Sequence, residues 1–409
     1  MKKRVVITGM AGISSLGNDW ATILTKLKSC TNAVKQMEGW KAYEGLYTLL
    51  GAPVEEIPLS DRFNRKTMRS MDRVSLFAAS ATEKALMDAG LIDSPEIHNG
   101  SMGISYGSSA GSAAATVDLA SLFWNKTVKG INANTYIKMM SHTAPVNLDI
   151  FFGITGRIIT TSSACTSGSQ GIGYAYESIK NGYQTMMIAG GAEELSVADA
   201  AIFDTLFATS VKNDTPELTP RPFDRNRDGL VLGEGGGTLI LEELGHAEAR
   251  GARIYAEIVG FGTNSDGTHV TKPNFNTMKR AMEIALKDAG LSSQDIGYIN
   301  AHGTGTQHGD VAETRATFEL FRERTPISSL KSYTGHTLGA CGALEAMVTI
   351  NMMNERWFHP TINLKERAPD CADLDYIVGN GRTIDCGYVM SNNFAFGGIN
   401  TSLIFKRYA

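Results

Sequence analysis

The chain has 409 residues, 43% of them hydrophobic and 20% charged, which is ordinary for a folded globular protein. Its net charge of -4 and isoelectric point near 6.1 argue against a nucleic-acid-binding protein, whose footprint would be basic. Because one hydrophobic core rarely grows beyond about 300 residues, the length predicts two domains or a fused duplicate.

The chain begins with a strand-like run, RVVITG, followed by small and polar residues, which is typical of a strand and turn and not of a signal peptide. No apolar run reaches about 18 residues, so no membrane span is expected. Five cysteines are scattered without a CxxC pair: Cys30, Cys165, Cys341, Cys371 and Cys386. This pattern predicts neither disulfides nor a zinc site, and it favours a cytoplasmic location.

An internal repeat links two distant segments. ATEKALMDAGL at residues 81–91 returns as AMEIALKDAGL at residues 281–291, with eight of eleven positions identical. Helix-forming residues fill both copies, and each copy ends in a glycine, Gly90 or Gly290, which is a C-cap signal. Chance convergence of helix formers is the alternative. The strand-like run and glycine-rich turn that follow each copy favour duplication.

Strand-like runs alternate with helical stretches along the whole chain, which predicts an α/β fold. The repeat divides it into two halves, residues 1–245 and residues 246–409. A glycine run at residues 233–237, GEGGG, has neither the Walker lysine nor dinucleotide-binding spacing, and we expect it to form a tight turn.

One cysteine lies in an unusual setting, the segment TSSACTSGSQ at residues 161–170. A β-branched run precedes it, and the apolar residues that follow recur at helical spacing. Cys165 is therefore expected at a strand-to-helix turn, where unpaired N–H groups and the helix dipole should lower its thiol pKa. A small buried hydrophobic residue is the alternative interpretation.

Three further glycine-punctuated turns carry reactive or aromatic side chains. In chain order they hold His302, then Lys331 with His336 ahead of a helix carrying Glu345, then Phe394 with Phe396. Because α/β proteins place their sites in loops at strand ends, we expect these turns and Cys165 to surround one pocket.

The segment DRNRDG at residues 224–229 opens like a calcium loop. The closing bidentate glutamate should stand at position 235, which is Gly235, and no flanking helix pair is evident. We therefore predict no metal site.

The Cys165 segment, HGTGT, KSYTGHTLGACGALE and NNFAFGGIN, in this order, resemble the β-ketoacyl-acyl-carrier-protein synthases, and the resemblance runs essentially end to end. It implies a thiolase-like fold, with two duplicated βαβαβαβ halves in a five-layer αβαβα arrangement. Among related enzymes, the initiating synthases carry a Cys-His-Asn set and the thiolases carry a second cysteine. The Cys-His-His-Lys set here indicates the elongating branch.

The resemblance implies decarboxylative condensation of a Cys165-bound acyl chain with malonyl-acyl-carrier protein, in fatty-acid or type II polyketide or polyene elongation. His302 and His336 would stabilise the enolate, with Lys331 and Glu345 as electrostatic support. By the same resemblance, the backbone N–H groups of Cys165 and Phe396 would hold the second oxyanion, and Phe394 and Phe396 would form a gate between the acyl and malonyl chambers. The hydroxyl groups of Thr271, Thr304 and Thr306 would contact the substrate arm.

No cofactor is implied, since the phosphopantetheine arm arrives with the substrate. Two departures concern the gating loop: Ala395 replaces a hinge glycine, where its Cβ should restrict the backbone, and Ile399 replaces a threonine. Ala110 stands where many such enzymes carry a bulky aliphatic residue. A wider pocket for a long or unsaturated chain is one interpretation, and filling by neighbouring side chains is the other.

The implied partners are an acyl carrier protein and a second subunit, in a homodimer or in a heterodimer with a chain-length-factor-like protein. A basic stretch at residues 61–73 is a candidate surface for the acidic carrier, although a solvated face explains its charges equally well. A chain-length factor is a rival identity, but those subunits lack the nucleophile. A Cys-His hydrolase is a second rival, which no feature of the sequence favours.

Overall fold

The computed structural model describes residues 2–408. Strands and helices alternate along them, as the sequence predicts for an α/β fold. The strands are β1 (Val5–Ser14), β2 (Lys35–Gln36), β3 (Leu50–Ala52), β4 (Met102–Gly107), β5 (Ile158–Thr161), β6 (Met186–Glu193), β7 (Leu232–Gly233), β8 (Gly235–Glu243), β9 (Ala256–Ser265), β10 (Tyr298–Asn300), β11 (Ile327–Ser328), β12 (Trp357–Phe358), β13 (Arg382–Thr383), β14 (Tyr388–Ala395) and β15 (Ile399–Arg407).

The helices begin where the sequence supplies caps and a periodic apolar face. In α9, for example, Asn274 accepts a hydrogen bond from the Asn276 N–H, and the buried side chains recur at helical spacing. The helices are α1 (Trp20–Lys28), α2 (Arg73–Asp88), α3 (Ala113–Asn125), α4 (Ala133–Met139), α5 (Thr143–Phe152), α6 (Ser167–Lys180), α7 (Val197–Asp204), α8 (Leu244–Ala249), α9 (Phe275–Ala289), α10 (Gln307–Phe321), α11 (Lys331–Thr334) and α12 (Cys341–Glu355).

Within residues 2–408, ten strands form one hydrogen-bonded sheet in the order β11-β10-β14-β15-β9-β1-β8-β6-β4-β5. The sheet has the same strand order on both sides of its middle. When only the strands of this sheet are counted, each side starts at the middle with the first strand of its half. It continues outward with the fifth, fourth, second and third strands. A short antiparallel pairing of β1 with β9 joins the two sides. The predicted thiolase-like fold with two duplicated halves is confirmed.

Helices form three layers: one between the two sides of this sheet, and one on the outer face of each side. α6 and α12 lie in the middle, because each of them contacts strands of both halves. α2 and α5 cover the outer face of the first half, while α9, with α10 against it, covers the outer face of the second. The buried cluster between the halves joins Ile172 and Ala175 of α6 to Met347 and Ile350 of α12. The result is the expected αβαβα arrangement.

The repeated segments occupy equivalent helices, α2 and α9. Each ends near a glycine in the left-handed region, Gly90 at φ +69° and Gly290 at φ +68°, so the predicted C-caps are confirmed.

The two repeated helices also approach their strands at equivalent glycines. A Cβ at Gly9 of β1 would lie 2.3 Å from the Ala85 carbonyl oxygen, and a Cβ at Gly260 of β9 would lie 2.4 Å from that of Ala285. Only glycine permits this separation between helix and strand. The same close approach therefore recurs in both halves.

The glycine run at residues 233–237 is not the expected tight turn. It spans the end of β7 and the start of β8. A Cβ at Gly237 would lie 2.8 Å from the Leu344 backbone nitrogen, so the absence of side chains lets α12 pack directly on β8. Sequence patterns of turns and of such glycine-rich strands are alike, which explains the error.

The chain leaves β8 at Glu243 and enters β9 at Ala256, with α8 between them. The division of the halves at residues 245 and 246 falls inside α8 and stays a prediction. No helix among residues 2–408 has the length and apolarity that crossing a bilayer requires.

Candidate active site

Cys165 lies between β5 and α6, as the sequence predicts. A short 3₁₀ turn, Ala164–Thr166, carries it and leads directly into α6. The turn has a left-handed residue, Ala164 at φ +50°, a conformation that the surrounding packing must hold in place. Cys165 is buried, with 4% of its surface exposed. The thiol is therefore held at the start of a buried helix.

The expected lowering of the thiol pKa is wrong. Burial raises the pKa of Cys165 to about 11, because it outweighs the Lys331 charge and the backbone N–H groups of Phe396 and Cys165, which act in the opposite direction. The resting group is thus a neutral thiol. The two N–H groups nevertheless lie where they can stabilise negative charge beside the sulfur.

His302 follows β10 and presents its Nε2–H to the site. Its Nδ1 lies 3.2 Å from the Lys331 Nζ and 3.4 Å from the Asn393 Nδ2, and both of these atoms are donors. Nδ1 therefore accepts, and the proton belongs on Nε2. Burial, with the charge of Lys331, holds the pKa of His302 well below its usual range, so the ring is neutral.

His336 has the same tautomer for a different reason. Its Nδ1 accepts the Leu338 backbone N–H at 3.2 Å, which leaves the proton on Nε2. Nε2 is buried and has no hydrogen-bond partner in the described part of the chain. Burial and the Lys331 charge hold the pKa of His336 well below its usual range. A buried donor without a partner is costly, and a substrate oxygen would satisfy it.

The thiol of Cys165 and ring nitrogens of His302 and His336 lie within 4.8 Å of one another. In ligand type and spacing, this set can also hold a metal ion. The Lys331 ammonium 3.2 Å from His302 opposes a dication at that place. The absence of a metal site stays a prediction.

Lys331 and Glu345 form a buried ion pair. The Asn393 Nδ2 donates to the second oxygen of Glu345 at 2.7 Å. Burial disfavours the ammonium, but the electrostatic influence of Cys341 and Glu345 and the hydrogen bond to Glu345 outweigh it and raise the pKa of Lys331. A fixed positive charge therefore stands behind His302.

Phe394 lies near the end of β14, and Phe396 follows the strand in the turn to β15. The Phe394 ring is 6.2 Å from the His302 ring, and the Phe396 ring is 5.4 Å from the Phe203 ring of α7. Ala395 is an extended strand residue paired with Ile399, and the restriction that its Cβ would place on movement of the loop stays a prediction. The left-handed positions of the turn are the two glycines, Gly397 and Gly398.

A cavity of about 370 Å³ brings most of the candidate residues together. Its lining includes Cys165, His302, His336, Thr271, Thr304, Thr306, Phe394 and Phe396. Lys331 and Glu345 lie behind it. The expected gathering of four turns around one pocket is therefore observed.

Ala110 does not join this group. It is exposed, in the bend between β4 and α3, and it does not line the cavity. Its neighbour Ser109 is held by Glu193, whose carboxylate accepts the Ser109 N–H at 2.6 Å and the Gly339 N–H at 3.1 Å. The wider pocket at Ala110 stays a prediction.

Sequence reasoning missed Glu313 and Asn393. The Glu313 carboxylate accepts the backbone N–H groups of His302 and Gly303, both at 2.7 Å, and so fixes the turn that carries His302. Burial raises the pKa of Glu313 to about 8. In the sequence, the signal for this role of Glu313 was its position in α10, eleven residues after His302.

The calcium-like segment has a structural role. Asp224 is buried, accepts the N–H groups of Asn226, Lys365 and Glu366, and pairs with Arg221 at 3.1 Å. Its carboxylate therefore joins two loops.

Comparisons with known proteins cover the whole chain. The family model described as Beta-ketoacyl synthase, N-terminal domain matches residues 2–247, and the one described as Beta-ketoacyl synthase, C-terminal domain matches residues 255–365. Cys165 lies in the first match, and His302, Lys331 and His336 lie in the second.

Two solved structures and one relative align with this chain over 99% or more of their length. The 3-oxoacyl-[acyl-carrier-protein] synthase 2 of Synechocystis sp. is 37% identical over 413 residues, covering 100% of this chain and 99% of that protein. A crystal structure of a beta-ketoacyl synthase from Burkholderia phymatum STM815 is 57% identical with a TM-score of 0.98. The ishigamide ketosynthase/chain length factor is 28% identical with a TM-score of 0.90. Both structures cover 100% of this chain and are covered to 100%.

Proposed function

This chain belongs to the β-ketoacyl synthase family, and we propose that Cys165, His302 and His336 perform the family's reaction in it. The reaction is decarboxylative Claisen condensation of an enzyme-bound acyl chain with malonyl-acyl-carrier protein. It yields 3-oxoacyl-acyl-carrier protein in fatty-acid or type II polyketide elongation. The observation that carries the residue assignment is one thiol and two neutral imidazoles within 4.8 Å.

The first step is thioester exchange at Cys165. The sulfur attacks the carbonyl of an acyl-carrier thioester, and the carrier thiol leaves with the proton that Cys165 loses. The N–H groups of Cys165 and Phe396 stabilise the tetrahedral oxyanion. Because burial raises the pKa of Cys165, the thiol must lose its proton as it attacks the thioester.

The second step is decarboxylation of the malonyl thioester. Loss of carbon dioxide leaves an enolate, whose oxygen accepts hydrogen bonds from the Nε2–H groups of His302 and His336. Both rings must be neutral, with Nε2–H donors, and their lowered pKa values keep them so. The enolate carbon then attacks the acyl-enzyme carbonyl. Cys165 leaves as thiolate and takes up one proton.

Lys331 acts through the histidines. Its ammonium is directed at the Nδ1 of His302 and neutralised on its other side by Glu345. This arrangement holds the imidazole neutral and fixes its tautomer. Lys331 is therefore proposed as a positioning residue, with Glu345 as its counter-ion.

The substrate arm is proposed to reach Cys165 past Thr271, Thr304 and Thr306, whose side chains line the same cavity. Phe394 and Phe396 are proposed as the gate between the acyl and malonyl positions. The phosphopantetheine belongs to the carrier and comes with the substrate, so we propose no cofactor bound by this chain.

The proposed partners are an acyl carrier protein and a second subunit. The ishigamide relative is a ketosynthase with a chain length factor, so we propose either a homodimer or a heterodimer of that kind. In the basic stretch, Arg62 and Arg73 pair with carboxylates, which leaves Arg65, Lys66 and Arg69 as the exposed candidates for carrier contact. We propose a cytoplasmic location, which the five free cysteines favour.

Intact mass and peptide mapping test the assignment. We expect acyl-carrier protein to transfer its acyl mass to the Cys165 peptide, and malonyl-carrier protein to release it as a 3-oxoacyl product. Cys165→Ala should prevent loading. His336→Ala should load normally but condense about 10²-fold to 10³-fold more slowly, as expected for loss of one oxyanion donor.

Cys386→Ala is the matched control, because it removes a cysteine outside the cavity and should load like the parent protein. Acylation of another residue, or condensation by Cys165→Ala, would contradict the residue assignment. Loading of His336→Ala at a strongly reduced rate would show that this histidine acts in the first step instead.

A further inference from the structure

A second groove, of about 360 Å³, continues from the mouth of the Cys165 cavity across the surface along α10. The two linings share Lys272, Pro273, Gln307 and His308, so these four residues mark the place where the cavity opens. Lys272, Gln307 and His308 are exposed, whereas Cys165 at the other end is buried. Any arm that reaches Cys165 through this opening passes Lys272 and His308.

The carboxylates along both linings are already satisfied. Asp228 pairs with Lys212 at 2.9 Å, and Asp370 pairs with Arg227 at 3.0 Å. Glu313 accepts two backbone N–H groups. The fourth carboxylate, Asp266, accepts from Thr277, the Asn274 N–H at 3.1 Å and Asn400 at 2.8 Å. Asp228 and Asp370 are thus paired with cations elsewhere, while Asp266 and Glu313 are held by hydrogen-bond donors.

Three basic side chains lie along the mouth and the groove, and they differ in how they are paired. Within residues 2–408, the Lys272 ammonium has no carboxylate within salt-bridge distance, and the His308 ring makes no hydrogen bond. Arg315 lies over the Phe275 ring at 3.6 Å, which presents its guanidinium along the groove, and Glu319 neutralises it only at 3.6 Å. An exposed ammonium without a carboxylate partner at the mouth attracts an anion.

We propose that Lys272, His308 and Arg315 bind the phosphate at the outer end of a 4′-phosphopantetheine arm. The inference rests on the proposed function, in which Thr271, Thr304 and Thr306 contact the same arm nearer Cys165. Phosphate oxygens accept strong charge-assisted hydrogen bonds from lysine and arginine. The same phosphate can be presented by a carrier protein's serine or by coenzyme A.

The test compares two small thioesters that differ only in the phosphate. An acyl-phosphopantetheine and the matching acyl-pantetheine are used to load Cys165, and kcat/KM is measured for each by intact mass. We expect the phosphate to raise kcat/KM about fivefold to tenfold, as one or two charge-assisted contacts at an exposed site allow. Lys272→Ala should bring the ratio of the two values close to one, and Lys272→Glu should invert it.

Lys287→Ala is the control, since it removes an exposed lysine near the other end of α9, roughly 18 Å along the helix from Phe275. Its ratio should equal that of the parent protein. A ratio of one in the parent protein, or an unchanged ratio in Lys272→Ala, would overturn the phosphate subsite while Cys165 still acylates. Failure of both thioesters to acylate Cys165 would contradict the proposed function itself.

Two further substrates separate the sources of the phosphate. If the groove serves the carrier, Lys272→Ala raises KM for acyl-carrier protein as it does for acyl-phosphopantetheine. A raised KM for acyl-coenzyme A with an unchanged KM for acyl-carrier protein would assign the groove to the free thioester and overturn its role in carrier recognition.

Discussion

Lys331 combines a charge effect on His302 with a buried ion pair, and the two can be separated. In Lys331→Met, loss of the ammonium should raise the pKa of His302, because Lys331 is the second cause, after burial, of its lowering. A ring with a higher pKa takes up its proton at higher pH. The acid limb of kcat/KM for condensation should therefore move to higher pH than in the parent protein.

The same change leaves Glu345 buried without its counter-ion, which should cost about 3 kcal/mol of unfolding free energy. The double variant Lys331→Met/Glu345→Gln is the control for this effect. It should recover much of the stability, measured by urea unfolding, and keep the displaced acid limb. An acid limb identical to that of the parent protein would show that Lys331 does not act through the charge state of His302.

Single residues show what the sequence could predict of this site. Cys165, His302 and His336 lie in long segments that carry both the reactive side chain and the turn around it, so they could be found. The role of Asn393 could not be predicted, because it depends on a 2.7 Å hydrogen bond to Glu345, 48 positions away. The raised pKa of Cys165 was also out of reach, since it depends on burial by segments distant in sequence.

At the scale of elements, the duplicated helices make a matched prediction. Gly9→Ala and Gly260→Ala would each push a Cβ against a carbonyl oxygen of the helix above, at 2.3 Å and 2.4 Å. Backbone atoms cannot yield as a flexible side chain can, so each variant should lose about 2 kcal/mol of unfolding free energy. Urea unfolding followed by circular dichroism measures this loss.

Gly387→Ala is the control, because a Cβ there meets no atom within 4 Å and the residue has no positive φ. Its stability should stay within about 0.5 kcal/mol of the parent protein. If Gly9→Ala and Gly260→Ala were as stable as this control, the close approach of helix and strand would not be a constraint of the fold.

The elements also show which features of the fold sequence patterns could and could not predict. The helices α2 and α9 could be predicted because composition and a terminal glycine are local signals. The order of the strands could not, since β1 pairs with β8 and β9, more than 200 positions away. The glycine run at the start of β8 was misread for the same reason: its close neighbour, α12, lies about 100 positions further along the chain.

At the scale of the whole molecule, one face remains apolar. α3 exposes Val117, Phe123 and Trp124, with 65%, 67% and 76% of their surfaces accessible. β5, which ends the sheet, exposes Ile158. Exposed aromatic side chains on a helix and an open edge strand are each typical of a surface that a second subunit covers. In a homodimer, a two-fold axis would place the same face on both partners.

The double variant Phe123→Glu/Trp124→Glu should therefore separate the subunits. In an isolated protomer both side chains face solvent, so the fold should tolerate the charges, whereas in a dimer they would be buried without partners. We expect the parent protein to sediment as a dimer and the variant as a monomer at the same concentration, with circular dichroism unchanged.

Met87→Glu is the matched control, because it places a charge on an equally exposed apolar residue of α2, with 61% of its surface accessible. It should remain a dimer. Dimers in the double variant would show that another surface joins the subunits. A monomeric parent protein that assembles only with a co-expressed chain-length-factor-like subunit would instead mean that this face is completed by a different chain, since self-association would then not bury it.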